Sequence, residues 1–243
     1  MQRTRADLLL VAKGQAESRA QARAAIEAGG VRANGVTIRK ASELIAEDAE
    51  LEFMPPHPWV SRGGVKLAHA LDAFGIDPAG CVCLDVGAST GGFTDVLLTR
   101  SAARVYAIDV GSGQLHPRIA ADPRVVSLEN HDARALTRVE IPEAPSLIVC
   151  DVSFIGAAKV LSTPLSLAAP QADLIILIKP QFEAGPGRAD KNGVLPEEVA
   201  RLVADEAIAS LDGLESFRFV AAIDSPIRGG EGNLERLAHF RRT

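Results

Sequence analysis

Residues 81–94 read Cys-Val-Cys-Leu-Asp-Val-Gly-Ala-Ser-Thr-Gly-Gly-Phe-Thr: a short apolar run, a glycine-rich turn, then the start of a helix-like segment. A glycine turn between strand and helix lets a ligand come close to the backbone. The spacing is not the dinucleotide fingerprint, which needs glycines at its first, third and sixth positions. Counted from Gly87, the third position is Ser89.

Outward from that turn, apolar runs at 81–86, 104–110, 124–128, 146–151, 173–179 and 217–223 alternate with helix-like stretches. The alternation predicts a parallel, doubly wound α/β sheet. Acidic residues stand at the ends of successive runs: Asp85, Asp109, Asp132 and Asp151. This register predicts four carboxylates on one rim of the sheet, where such folds take ligands, with Asp109 placed to accept ribose hydroxyls. Lys179, in Ile178-Lys179-Pro180-Gln181-Phe182-Glu183, closes the fifth run and comes to the same rim. Upstream, Ser61-Arg62-Gly63-Gly64-Val65-Lys66-Leu67 opens a helix; near the end, a glycine-rich loop at 225–234 presents Glu235. By spacing alone, Lys66 and Glu235 read as ordinary surface charges.

The chain has 243 residues, is 47% apolar and only 4% aromatic, so its core is built from Ala, Val, Leu and Ile. That excludes a disordered or fibrous protein. The net charge of −5 hides a segregation. Residues 1–40 carry eight basic and three acidic side chains, a net +5, which leaves −10 for the remaining 203. The basic block reads as a small α+β domain over 1–54. Thr4 with Asp7, and Ser18 with Gln21, are helix-start pairs of the capping-box kind. The second helix stops at Gly29-Gly30, and Asn34-Gly35 predicts a hairpin between 31–33 and 36–38. A further strand is expected at 49–53. Pro55-Pro56-His57-Pro58 reads as a stiff linker over 55–60, with Trp59 packed at a domain junction, and a second domain spans 61–243.

No apolar run approaches the roughly 20 residues of a membrane-spanning helix, and no signal peptide is evident. Cys81, Cys83 and Cys150 lie in strand-like runs and read as buried, reduced thiols, without the spacing of a metal site. A soluble, cytoplasmic protein with no membrane and no metal partner is expected.

With these residues on the page, the chain resembles the TlyA family of ribosomal RNA 2′-O-methyltransferases, whose catalytic domain is FtsJ-like. SRGGVKL, LDVGASTGGFTD, DVSFI, IKPQFE and SPIRGGEGN carry the likeness. RADLLL, ESRAQARAAIEAGGVRANG and ELEF resemble an RNA-binding module known from a ribosomal protein and from pseudouridine synthases. The resemblance implies a Rossmann-like methyltransferase sheet behind a small RNA-binding domain, and S-adenosylmethionine as cofactor. The cofactor would contact Asp85, Gly87, Ser89, Gly91, Gly92, Phe93, Asp109, Asp132 and Asp151. It also implies a catalytic tetrad of Lys66, Asp151, Lys179 and Glu235, with Lys179 either taking the proton of a ribose 2′-hydroxyl or stabilising the alkoxide. The RNA partner, in ribosomal subunits or whole ribosomes, would meet Arg3, Arg5, Ser18, Arg19, Arg23, Arg32, Asn34, Lys40 and Arg62. The expected product is a 2′-O-methylated cytidine, with large-subunit RNA favoured as substrate because the chain has short ends.

Two departures stand out. Segment 111–117 lacks the aromatic that the family commonly carries there, and Leu195-Pro196-Glu197-Glu198 stands where an Asp-Pro pair is usual. Rival readings are a nicotinamide-dependent oxidoreductase, a non-catalytic RNA-binding assembly factor and a membrane-active haemolysin. Ser89 and the lysines of the rim speak against the first. The paired Lys179 and Asp151 speak against the second, and the lack of an apolar span or basic amphipathic helix against the third.

Overall fold

The computed structural model describes residues 2–153, 157–184, 193–229 and 232–243. The chain divides into two compact units, Met1–Pro58 and Trp59–Thr243.

The first unit contains β1 (Arg3–Arg5), α1 (Ala6–Ala12), α2 (Arg19–Glu27), β2 (Val31–Ala33), β3 (Val36–Thr37), β4 (Leu44–Ala46) and β5 (Leu51–Phe53). Asn34 and Gly35 take φ of 49° and 77°, the left-handed pair that a two-residue hairpin turn between β2 and β3 requires. Ser18 caps α2 by accepting from Gln21 N, as its spacing suggests. Thr4 does not cap α1. It lies in β1, paired with β4, and donates its hydroxyl to Glu47 at 2.7 Å. Leu9, Leu10, Ala22, Ala25, Ile26, Val31 and Ile45 form this unit's own core.

The second unit opens with α3 (Arg62–Phe74) and continues through β6 (Val82–Val86), α4 (Gly92–Thr99), β7 (Arg104–Ile108), α5 (Pro117–Ala120) and β8 (Val125–Leu128). It proceeds with β9 (Leu147–Cys150), α6 (Ala157–Ser166), β10 (Ala172–Ile178), α7 (Pro180–Glu183), α8 (Glu197–Leu211), β11 (Arg218–Asp224) and β12 (Arg236–Arg242). The sheet order is β11-β12-β10-β9-β6-β7-β8. Strands β6 to β10 pair in parallel; β12 runs antiparallel between β10 and β11. The expected parallel, doubly wound sheet is present, and one antiparallel strand, β12, is inserted next to its edge.

Because side chains alternate along a strand, each apolar run feeds two cores. Leu84, Val86, Ile148 and Ile176 face α6 and α8, where Leu161, Leu165, Ala204 and Ile208 cover them. Cys83, Val105, Val149 and Ile175 face α3 and α4, where Leu67, Leu71, Val96 and Leu97 cover them. Each such Leu or Ile contributes about 1.5–3 kcal/mol by leaving water. Trp59 joins the second of these cores and packs on Gly64, where a Cβ would come within 2.4 Å of the tryptophan side chain.

From β6 the sheet grows through β7 to β8, then the chain returns to the other side of β6 to form β9. The crevice outside the ends of β6 and β9 is the topological switch point, where open α/β sheets bind ligands.

Candidate active site

Gly87 follows β6 and Asp151 follows β9, and the two meet at that crevice. Gly87 has φ of 84°, and a Cβ on it would stand 2.7 Å from the Asp151 carbonyl oxygen, so only glycine lets the two loops touch. Ser89 also takes a left-handed φ, 47°, at the position where a dinucleotide turn carries glycine. Its N–H donates to Asp109 Oδ2 at 2.8 Å, while Gly111 N–H donates to Asp109 Oδ1 at 2.7 Å. Asp109 therefore ties two loops together at the rim of a cavity of about 460 Å³, which Gly87, Ser89, Asp132 and Asp151 also line. That is the size of a small-molecule cofactor site.

Asp132 caps a 3-10 turn, Ala133–Ala135, and accepts from the Arg134 backbone N–H and guanidinium. The Arg134 guanidinium holds the Asp132 carboxyl down at about 2, helped by the Arg134 backbone N–H. The carboxylate faces the cavity already engaged by Arg134, which also lines it.

A second, smaller cavity of about 190 Å³ adjoins the first, and the two share Gly87, Ser89, Asp151 and Ser153. Lys66, Lys179, Gly92 and Phe93 line the smaller one. Lys179 Nζ lies 2.5 Å from Asp151 Oδ1 and donates to Ser153 Oγ at 2.8 Å. Lys66, on α3, is buried and pairs with the buried carboxylate of Glu235, which directly precedes β12. Two ammonium groups, a carboxylate and a hydroxyl thus surround a space large enough for one small polar group. Such a site can orient a hydroxyl and stabilise negative charge on its oxygen.

Asp85 departs from the expected rim of four carboxylates. It sits inside β6, fully buried, and lines neither cavity. Thr94 Oγ1 donates to its Oδ2 at 2.6 Å, and Oδ1 has no hydrogen-bond partner among the described residues. Burial pushes its carboxyl up to about 7, and the neighbouring charges of Asp151 and Asp109 add to that against the bond from Thr94. Gly91 caps α4 with φ of 89° and likewise lines neither cavity.

Comparison with known proteins places this geometry. The FtsJ-like methyltransferase family model matches residues 59–242, and the S4 domain model matches residues 4–51. A 16S/23S rRNA (cytidine-2′-O)-methyltransferase TlyA of Mycobacterium tuberculosis is 43% identical over 98% of this chain and 90% of its own. The chain belongs to the TlyA family. Hemolysin A of Brachyspira hyodysenteriae is 40% identical over 97% of this chain and 99% of its own. A solved Streptococcus thermophilus protein, named as a hemolysin, superposes with a TM-score of 0.73 at 37% identity over 100% of this chain and 90% of its own.

In this TlyA-family chain, the S4 domain carries the basic residues singled out from the sequence. Arg3, Arg19, Arg23, Arg32 and Lys40 are exposed; Arg5 is half-buried. Ser18 and Asn34 have structural tasks as well: Ser18 caps α2, and Asn34 Oδ1 accepts from Glu50 N at 2.9 Å. In the FtsJ-like domain, Arg62 is exposed at the start of α3 and donates to the Arg228 carbonyl oxygen. Within the family motifs, Phe154, Ile155, Gly230 and Glu231 lie outside the described residues, as do Lys191 and Asn192 of the departing loop.

Ser153, Gln114 and Arg134, which line the cavities, were not expected at the site. Ser153 stands two residues past Asp151 in the quoted DVSFI, and Gln114 accepts from Ser89 Oγ at 3.2 Å. Burial pushes the thiols of Cys83 and Cys150 up, as suits inert core cysteines. Among the described residues, no helix is long and apolar enough to cross a membrane, and no cluster of three or more His, Cys, Asp or Glu is arranged to hold a metal ion.

Proposed function

We propose that this protein transfers a methyl group from S-adenosylmethionine to a ribose 2′-hydroxyl, of a cytidine, in ribosomal RNA, and that it works on ribosomes in the cytoplasm. One observation carries the reading: the Asp151 and Ser153 loop is shared by a cavity of cofactor size and by the smaller cavity that Lys66 and Lys179 line.

The residues present fit the cofactor. Gly87 lets the loops after β6 and β9 close on each other beside the larger cavity, Asp109 stands where ribose hydroxyls are bound in sheets of this kind, and Asp132 and Arg134 line the same cavity. When bound, S-adenosylmethionine supplies a methyl already activated by its positively charged sulfur. What remains for the chain's own residues is alignment and handling of a proton. Lys179, fixed between Asp151 and Ser153, orients the 2′-hydroxyl and stabilises the negative charge that grows on its oxygen as the new carbon–oxygen bond forms, while the hydroxyl proton leaves to the Asp151 carboxylate and on to water. Lys66, held by Glu235, adds a second positive charge to the same cavity. Phe93 and Gly92 close one wall against water.

The test offers cofactor with a labelled methyl to isolated small subunits, large subunits and whole ribosomes. The modified nucleotide is then mapped by its resistance to alkaline cleavage. Label on a ribose of ribosomal RNA, with the large subunit the first candidate, is the expected result. Label in protein or lipid, or none in any substrate, overturns the reading.

A further inference from the structure

The S4 domain contains a buried charge that general electrostatics would not put there. Asp7, in the first turn of α1, has no exposed surface, yet it lies in the most basic stretch of the chain. Its two oxygens take five hydrogen bonds from three guanidinium groups. Arg5 donates Nε to Oδ1 at 2.9 Å and Nη2 to Oδ2 at 3.1 Å. Arg19 donates Nε and Nη2 to Oδ2 at 3.3 and 3.0 Å, and Arg23 donates Nε to Oδ2 at 3.4 Å. The bond from Arg5 leads in holding the Asp7 carboxyl far below the usual carboxylate range.

The three arginines remain accessible, with side chains 38%, 49% and 50% exposed. Nη1 of Arg5, Nη1 of Arg19 and both Nη atoms of Arg23 are not spent on Asp7, and the cluster keeps a surplus of positive charge. Arg19 and Arg23 are four apart on α2, a spacing at which like charges repel unless an anion lies between them. A free arginine side chain gives up about 2 kcal/mol of rotamer entropy when fixed. Here much of that ordering is done when the domain folds, so less remains to be lost on binding. Guanidinium groups in fixed array match the paired oxygens of phosphodiesters.

We propose that Asp7 is a positioning residue for RNA: a buried carboxylate that presets Arg5, Arg19 and Arg23 as a rigid receptor for backbone phosphates. This rests on the reading of the protein as an RNA methyltransferase. It also reverses the expectation from charge. Asp7→Asn makes the domain more basic by one, so counterion release alone predicts tighter binding to any RNA. Preset geometry predicts weaker binding to the structured substrate.

The test uses the full chain as parent, Asp7→Asn and Arg19→Lys. It measures methyl transfer against ribosomal subunit concentration, and binding to single-stranded homopolymer RNA at several salt concentrations. For Asp7→Asn the expected result is a KM for subunits raised about tenfold, a kcat changed less, and homopolymer binding undiminished. Arg19→Lys keeps the charge but loses the two-pronged contact, and its KM also rises several-fold. An Asp7→Asn KM equal to or below the parent's overturns the proposal. If Asp7→Asn melts the S4 domain, Arg19→Lys decides alone, and an unchanged KM overturns it. A parent inactive on every ribosomal substrate sinks the methyltransferase reading instead; Asp7 is then judged on affinity for ribosomal RNA, where undiminished binding by both variants overturns it.

Discussion

Lys66 and Glu235 lie 169 residues apart in the chain and meet as a buried ion pair at the edge of the smaller cavity. The pair joins the helix that opens the FtsJ-like domain to the strand β12 that is threaded into its sheet. Lys66→Met leaves the Glu235 carboxylate buried and unpaired, at a cost of about 3–5 kcal/mol. The double variant Lys66→Met/Glu235→Leu removes both charges, and we expect its melting temperature to recover most of that loss while methyl transfer stays abolished. Recovery of activity along with stability would remove Lys66 from the catalytic group.

Lys179→Ala is expected to abolish methyl transfer and leave cofactor affinity nearly unchanged, measured by calorimetry with S-adenosylmethionine. Ser153→Ala removes one of the two anchors of the Lys179 ammonium group. Its kcat should fall about tenfold with little change in cofactor affinity. Substantial turnover by Lys179→Ala counts against its assignment.

Asp109 holds the backbone of both Ser89 and Gly111. Asp109→Ala therefore loosens two loops of the larger cavity in addition to removing the proposed ribose contact. Cofactor affinity should drop by more than tenfold, since bonds to a charged acceptor are worth about 1.5–3 kcal/mol each. Equal affinity in parent and variant would place the ribose elsewhere.

Asp85 makes stability depend on pH in an unusual direction. Its carboxyl is raised in the fold to about 7, from about 3.9 in the unfolded chain. Between those values the unfolded chain releases the proton and the folded chain keeps it. The contribution to stability is therefore full below about pH 4 and declines up to about pH 7. Asp85→Asn removes this slope. The melting temperature of the variant relative to the parent should climb from pH 4 to pH 8, by the equivalent of about 4 kcal/mol. A constant difference across that range would mean that Asp85 is ionised in the folded protein.

Removal of residues 1–58 takes away the exposed arginines of the S4 domain together with Lys40. Binding to ribosomal RNA should weaken, and the dependence of log affinity on log salt should flatten by about 0.7–0.9 for each phosphate no longer neutralised. An identical slope would put the RNA anchor on the other domain.

Much of this was legible in the residues. Apolar runs such as 81–86 and 146–151 coincide with β6 and β9 because both faces of those strands are covered by helices, so every position is apolar except Asp85 of β6. Asn34-Gly35 and Ser18 announced local structure through backbone and capping demands that operate over four residues. Strand β12 stayed hidden because Arg236, His239, Arg241 and Arg242 break its apolar pattern. His239 and Arg241 are accommodated by Asp173 on β10, 66 and 68 residues earlier, a partnership no local window contains. Strands β1 and β4, three residues each, are too short to show a period. Asp85 was misplaced for a related reason: one residue decides whether a side chain points to the rim or into the core. Lys66 and Glu235 gave no local signal at all, since their meaning lies in each other.

The position of β12 also governs the order in which the molecule can be finished. Strands β10 and β11 precede it in the chain, yet neither is bonded to the other; each pairs only with β12 on its facing edge. Until that strand inserts, the sheet has an open slot and Glu235 has no route to Lys66. Closing the slot and pairing Glu235 with Lys66 therefore go together, so the strand that completes the sheet also completes the ion pair beside the smaller cavity.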